Sequence, residues 1–155
     1  MRTDSAFARY DASNTGSAAG KVAPDAYLET RSGPVALRHV YRGTGHHLLI
    51  FAADESDPNT LTGWQHQAED VMAGRGEVHL ITRCFLPTAP TEGVFADIHS
   101  DAHNRYGVRR PSLYVIRPDK YIGYRDDTID FAAVHEYFRA LGSMPGTRVS
   151  SATQE

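Results

Sequence analysis

The side chains able to do chemistry in this chain fall into a few stretches. The one cysteine, Cys84, is a candidate thiol. Acidic residues crowd "AADESDPNT", where Asp54, Glu55 and Asp57 stand close together. Histidines and acids alternate in "DIHSDAH" (Asp97, His99, Asp101, His103), and a histidine pair stands at His46 and His47. Arg105, Arg109 and Arg110 form a local basic patch, and Arg117 and Arg125 bound the string "RPDKYIGYR".

Each stretch carries a chemical and a plainer reading. A thiol does nucleophilic or redox work as a thiolate, which needs a helix N-terminus or a cation beside it; otherwise a lone cysteine packs as a small hydrophobe. A single cysteine forms no internal disulfide, which suits a reducing cytoplasm. Zinc asks for three or four donors with second-shell support. His99 and His103, at i and i+4, would share a helix face, but there is no H-E-x-x-H and no paired C-x-x-C. These histidines read as solvated groups at a helix start, and no metal is expected. Serine, histidine and aspartate occur without a G-x-S-x-G elbow, which is no case for a hydrolase. Arg117 and Arg125 would suit a bidentate grip on an anion or a partner's carboxylate. The plainer reading has Asp119 capping a turn and the arginines paired with nearby acids.

Composition bounds the class. The chain has 155 residues, the size of one domain able to bury a core without disulfides or metals. Its net charge, 16 − 19 = −3, gives no global attraction to nucleic acid or to an anionic membrane. The patch of Arg105, Arg109 and Arg110 therefore reads as a protein contact. Apolar runs such as "LLIFAA" fall far short of the about 20 residues of a membrane span, and the N-terminus lacks the apolar core of a secretory signal. A cytoplasmic protein is expected. Residues 1–19 read as a flexible arm or linker, 20–142 as the folded domain and 143–155 as a disordered tail.

The elements that must position these groups follow from periodicity. "VALRHVYRG" (35–43) reads as a short strand entering a helical turn, and "HHLLIFAA" (46–53) as a buried central strand. Leu61, Trp64, Ala68, Val71 and Met72 share one face of a helix over 61–76, closed by Gly74 and Gly76. "EVHLITRCF" (77–85) is a strand, and "HSDAHNRYG" (99–107) a short helix with Ser100 as N-cap and Gly107 as its stop. Strands 112–118 and 121–125 form a hairpin around "RPDK", whose proline and aspartate are turn residues. Phe131, Val134, Phe138 and Leu141 mark an amphipathic helix over 128–142. The aromatic residues of that helix and Trp64 read as core.

Strand, helix, strand, helix, hairpin, helix is the thioredoxin-like plan: an α/β fold with a central mixed sheet flanked by helices, ending in a β-hairpin and a C-terminal helix. A redox protein of this plan carries its nucleophilic cysteine after the first central strand, at a helix N-terminus. Here that loop holds Asp54, Glu55 and Asp57 and no cysteine. Pro111 stands near the place of that plan's cis-proline.

The string "RYGVRRPSLYVIRPDKYIGYR" resembles the C-terminal domain of FAD-dependent aromatic hydroxylases of the phenol 2-monooxygenase group, with a pattern of the type Y-G-x-x-x-x-x-L-x-L-x-R-P-D-G-Y-I-x-x-R. Tyr106, Gly107, Arg117, Pro118, Asp119, Tyr121, Ile122 and Arg125 match it. Lys120 departs from it, standing where that family usually has glycine. Upstream, "GKVAPDAYL" resembles the opening of the same domain, and "ARYDAS" the end of the preceding one; the resemblance runs over roughly residues 8 to 140. It implies a thioredoxin-like domain without redox cysteines. The matched residues Tyr106, Gly107, Arg117, Pro118, Asp119, Tyr121 and Arg125 then serve structure or partner binding, and no residue is catalytic. FAD and NADPH would belong to the related full-length enzymes. No G-x-G-x-x-G is present, and the chain is too short for a dinucleotide-binding domain beside this one. The expected role is an accessory or dimerisation module, partnered by a second copy or by a flavin-dependent hydroxylase. The alternative is a redox or small-aromatic-ligand-binding protein that uses Cys84 or the Asp54–Asp57 loop.

Overall fold

The computed structural model describes residues 19–85 and 93–142. The expected tail and nearly all of the expected arm lie outside them, as does the "ARYDAS" match.

Seven strands make one mixed sheet. They are β1 (Tyr27–Thr30), β2 (Gly33–Ala36), β3 (His46–Phe51), β4 (Gly76–Thr82), β5 (Val94–Ala96), β6 (Ser112–Ile116) and β7 (Ile122–Asp126), in the order β2-β1-β5-β4-β3-β6-β7. The helices are α1 (Leu37–Val40), α2 (Pro58–Met72), α3 (Asp101–Arg105) and α4 (Phe131–Gly142). β3 lies between β4, parallel to it, and β6, antiparallel to it. Leu48, Leu49, Ile50 and Phe51 are all inaccessible to solvent, which explains their unbroken apolar run: both faces of this strand are covered. One face packs Leu48, Ile50, Leu80, Leu113 and Val115 against α2 and α4. The other packs Leu49, Phe51, Ile81 and Tyr114 against Leu37, Tyr41, Ala102 and Tyr106. This is the thioredoxin-like architecture expected from the element order.

Helix ends depart from expectation for local reasons. α2 begins three residues before Leu61, because the Asp57 carboxylate accepts the Thr60 amide at 3.1 Å and Pro58 occupies the first turn. It stops at Ala73, held in the left-handed region at φ +48°, just before Gly74. Ser100 makes no side-chain cap on α3; the Asp97 carboxylate accepts the Ala102 and His103 amides instead. Asp130 caps α4 through the Ala133 amide. β1 and β5 are additional strands of four and three residues; β1 forms a local hairpin with β2 and meets β5 at Glu29 and Ala96, and β5 lies parallel to β4. No peptide bond among the described residues is cis, so the bond before Pro111 is trans.

The hairpin turn folds as its residues dictate. The Arg117 amide donates to Tyr121 O and the Lys120 amide to Arg117 O, each at 2.8 Å, and Asp119 accepts the Tyr121 amide at 3.2 Å. Lys120 takes φ +74°, a conformation that costs a side-chain-bearing residue about 1–2 kcal/mol. Replacing Lys120 with glycine is expected to raise the unfolding free energy by about 0.5–1 kcal/mol in denaturant titration, net of the backbone entropy glycine adds. Gly76 opens β4 where its backbone nearly touches β3: a Cβ there would lie 1.7 Å from the His46 carbonyl oxygen. Gly76→Ala should therefore part the start of the two strands and lower stability by about 3 kcal/mol in the same titration.

Candidate functional site

The parallel strands β3 and β4 have two ends, and both carry polar groups. At the C-terminal end, β3 runs through Ala52 to Ala53, which is in the left-handed region at φ +53°. The Ala53 amide donates to Nε2 of His103 at 3.1 Å, and Nδ1 of His103 meets the Asp97 carboxylate at 2.7 Å. With Nε2 accepting, the ring proton lies on Nδ1, pointing at Asp97. Both side chains are fully buried. Burial alone would raise the Asp97 pKa, but hydrogen bonds from the His103 ring, the His103 amide and the Ala102 amide outweigh it and hold it below the usual carboxylate range.

Above this pair the rim is closed by charge. Arg83 Nε lies 3.3 Å from Asp54, and its Nη1 donates to Ser100 Oγ at 2.8 Å. Glu55 accepts the Asp57 amide, and Asp57 caps α2. The three acids expected to fill the cysteine position are thus spent on an ion pair, a turn and a helix cap. Cys84 is exposed, two residues beyond β4, and its carbonyl accepts from Thr82 Oγ1 at 2.8 Å.

The hairpin residues separate. Tyr106 is interior: its hydroxyl meets Tyr41 at 2.7 Å and Pro24 O at 2.6 Å, and burial pushes its pKa well up. Gly107, at φ +71°, ends α3. Arg117 pairs with Asp119 and lies over the Tyr121 ring at 5.8 Å, all at the surface. Arg125 does not join them. It is 2% exposed, faces Tyr114 across the hairpin and meets Asp127 at 3.3 Å, so the two arginines form no common anion grip. Arg105, Arg109 and Arg110 are exposed.

At the N-terminal end of the strands stands a group the sequence did not single out. Nδ1 of His47 is 3.0 Å from Nε2 of His79, and Oε1 of Glu77 lies 3.7 and 3.6 Å from those two nitrogens. His47 pairs with Glu77 in the parallel register, and Glu77 and His79 alternate onto the same face of β4. His46, one residue away, points to the opposite face and packs edge-on against Phe138 at 5.2 Å, so the "GHH" pair is not a pair in space. His99 is exposed and His103 buried, which separates the i, i+4 pair as well. Burial lowers the His47 pKa against the pull of Glu77, and burial with the neighbouring His47 lowers that of His79 to about 3. The E-x-H spacing in a strand was the signal for one shared face; the partner strand's register supplied the rest.

No protein-family model and no curated protein matches the chain. Among solved structures, it aligns with a protein assigned as the thiol:disulfide interchange protein DsbE of Chlorobium tepidum, at 22% identity over 79% of this chain and 96% of that one, with a TM-score of 0.62. The thiol peroxidase of Chromobacterium violaceum matches at 15% identity over 81% and 88%, with a TM-score of 0.63. Aklavinone-11 hydroxylase, solved with FAD and aklavinone, matches at 19% identity over 76% of this chain and 20% of that one, with a TM-score of 0.55. These likenesses establish the thioredoxin-like fold. No helix among the described residues is long and apolar enough to cross a membrane.

The buried histidines set a pH dependence whose sign follows from linkage. The folded pKa of His79, about 3, lies below the unfolded value of 6.5, so the unfolded chain takes up the proton first. This stability is complete above the unfolded pKa and is lost as pH falls toward the folded one; His47 acts in the same direction. With a chelator present, the unfolding free energy should drop by on the order of 3 kcal/mol between pH 7 and 4. His79→Leu should flatten that slope.

Proposed function

We propose that this chain is a non-catalytic thioredoxin-like module that serves as an accessory or dimerisation domain for a flavin-dependent aromatic hydroxylase. The observation that carries this reading is the C-terminal rim of β3. Where redox proteins of this fold present a thiolate, Ala53 is pinned to His103 and Asp54 is paired with Arg83. Those groups are engaged with each other, and the loop after β3 carries no cysteine. The likeness to aklavinone-11 hydroxylase, confined to a fifth of that protein, supports a module beside a flavoprotein rather than a flavoprotein itself. FAD and NADPH would then be the partner's. The surface left for contact includes Arg117, Asp119 and Tyr121 of the turn and the arginines at 105, 109 and 110.

The competing thiol reading rests on Cys84, which is exposed. Peroxide consumption and insulin reduction, measured on the wild type and on Cys84→Ser, separate the two. The module reading expects equal background rates and wild-type stability for the variant. It also expects the tagged chain to recover from native extract a yellow protein that mass spectrometry identifies as an aromatic hydroxylase. Turnover that disappears with Cys84→Ser would overturn it.

A further inference from the structure

We propose that His47, His79 and Glu77 form a three-donor binding site for a divalent transition-metal ion of the zinc type. The site lies at the opposite end of β3 and β4 from the rim discussed above and is independent of the accessory role.

The two imidazoles are hydrogen-bonded to each other, and a carboxylate oxygen stands beside both facing nitrogens. The three donor atoms form a triangle with edges of 3.0, 3.6 and 3.7 Å. A tetrahedral ion with bonds of 2.0–2.1 Å sets its donors about 3.3 Å apart. The triangle brackets that spacing, and the largest adjustment falls on Glu77, whose side chain is mostly exposed and mobile about several bonds. Glu77 Oε1 is too far from either nitrogen to hydrogen-bond, yet nearly equidistant from both. That is the position of a third ligand. Two nitrogens and one carboxylate oxygen suit zinc-like ions and not calcium or magnesium, which take oxygen.

The imidazoles are held in place. They project from adjacent parallel strands with their rings inclined by 19°, between the Tyr41 ring at 5.4 Å from His47 and the Phe95 ring at 5.8 Å from His79. Facing nitrogens 3.0 Å apart can share only one proton, so one ring must act as donor and the other as acceptor. Nδ1 of His79 is buried without a hydrogen-bond partner, so nothing on that side fixes its tautomer, while the Arg42 backbone bears on His47. A cation lets both facing nitrogens offer a lone pair. Glu77 supplies a negative charge. Lys120, whose charge reaches His47, is engaged by the carbonyls of Gly43 at 3.4 Å and Pro118 at 3.2 Å. Glu77, with its side chain 66% exposed, is the member of the triangle that borders solvent.

The test uses the untagged full chain, stripped with a chelator and titrated with Co2+ and then Zn2+. The expected result is one Co2+ per chain with the intense visible absorption of a tetrahedral ion, displaced by one equivalent of Zn2+, and a raised Tm. Glu77→Gln, on an exposed side chain that leaves the fold intact, should weaken binding at least about tenfold. His79→Gln should abolish the cobalt spectrum; if that variant does not fold, Glu77→Gln alone decides. Absence of stoichiometric binding overturns the proposal. So does binding that Glu77→Gln leaves at wild-type strength, since the metal would then sit elsewhere.

Discussion

Asp97 carries a carboxylate to a place that water does not reach, and much of the structure is arranged around satisfying it. A buried anion is tolerable only when hydrogen bonds replace its hydration. Three N–H groups do so here: the amides of Ala102 and His103 and the ring of His103. The backbone of the same residue ties two more places together, its amide donating to Thr82 O at the end of β4 and its carbonyl accepting from Ser100. His103 passes the connection on to Ala53 at the end of β3. One residue thus ties together the start of α3, through its side chain, the end of β4, through its amide, and, by way of His103, the left-handed residue that closes β3. Ala53 adopts its left-handed backbone with its amide bonded to the His103 ring, which offsets part of the conformational cost.

This interaction also shows where sequence reading stops. The central elements were legible because their signals are local: the apolar run of β3, the face of α2 marked by Leu61 and Met72, the turn chemistry of "RPDK", and the stripe of α4. Even the strain at Lys120 could be read, since a pattern that wants glycine predicts a positive φ. Asp97 and His103 looked like solvated residues at a helix start, because nothing local reveals that Leu49's face of the sheet closes over them. β1 and β5 were missed for a related reason. A strand of three or four residues carries too little periodicity to announce itself, and β1 and β5 join the rest of the sheet through a pairing far apart in the chain. Arg125 was read as a surface charge; instead it lies buried against Tyr114.

The two ends of the β3–β4 pair divide the polar groups by kind. At the C-terminal end every side chain named is engaged by another part of the chain: Asp54 by Arg83, Arg83 by Ser100, Asp57 by α2, Asp97 by α3. At the N-terminal end the donors face one another without that closure. The closeness of the strands there follows from Gly76, whose missing side chain lets β4 lie against the His46 carbonyl. Gly76 pairs with His46 in the register that sets His47 opposite Glu77, so the close approach lies one residue from the donor triangle.

Two buried imidazoles are an odd choice for that position on packing grounds alone. The surrounding residues, Tyr41, Phe95 and Leu49, are apolar or aromatic, and a leucine or phenylalanine pair would fill similar volume. Such a pair would bring no polar atom inside. The histidines instead leave Nδ1 of His79 buried and unsatisfied, a cost of about 1–3 kcal/mol. A hydrogen bond between two neutral rings returns only about 1 kcal/mol. The balance is unfavourable for packing and becomes favourable if a ligand draws on both facing lone pairs at once. Glu77 strengthens the case, because a carboxylate poised beside two buried bases adds nothing to packing.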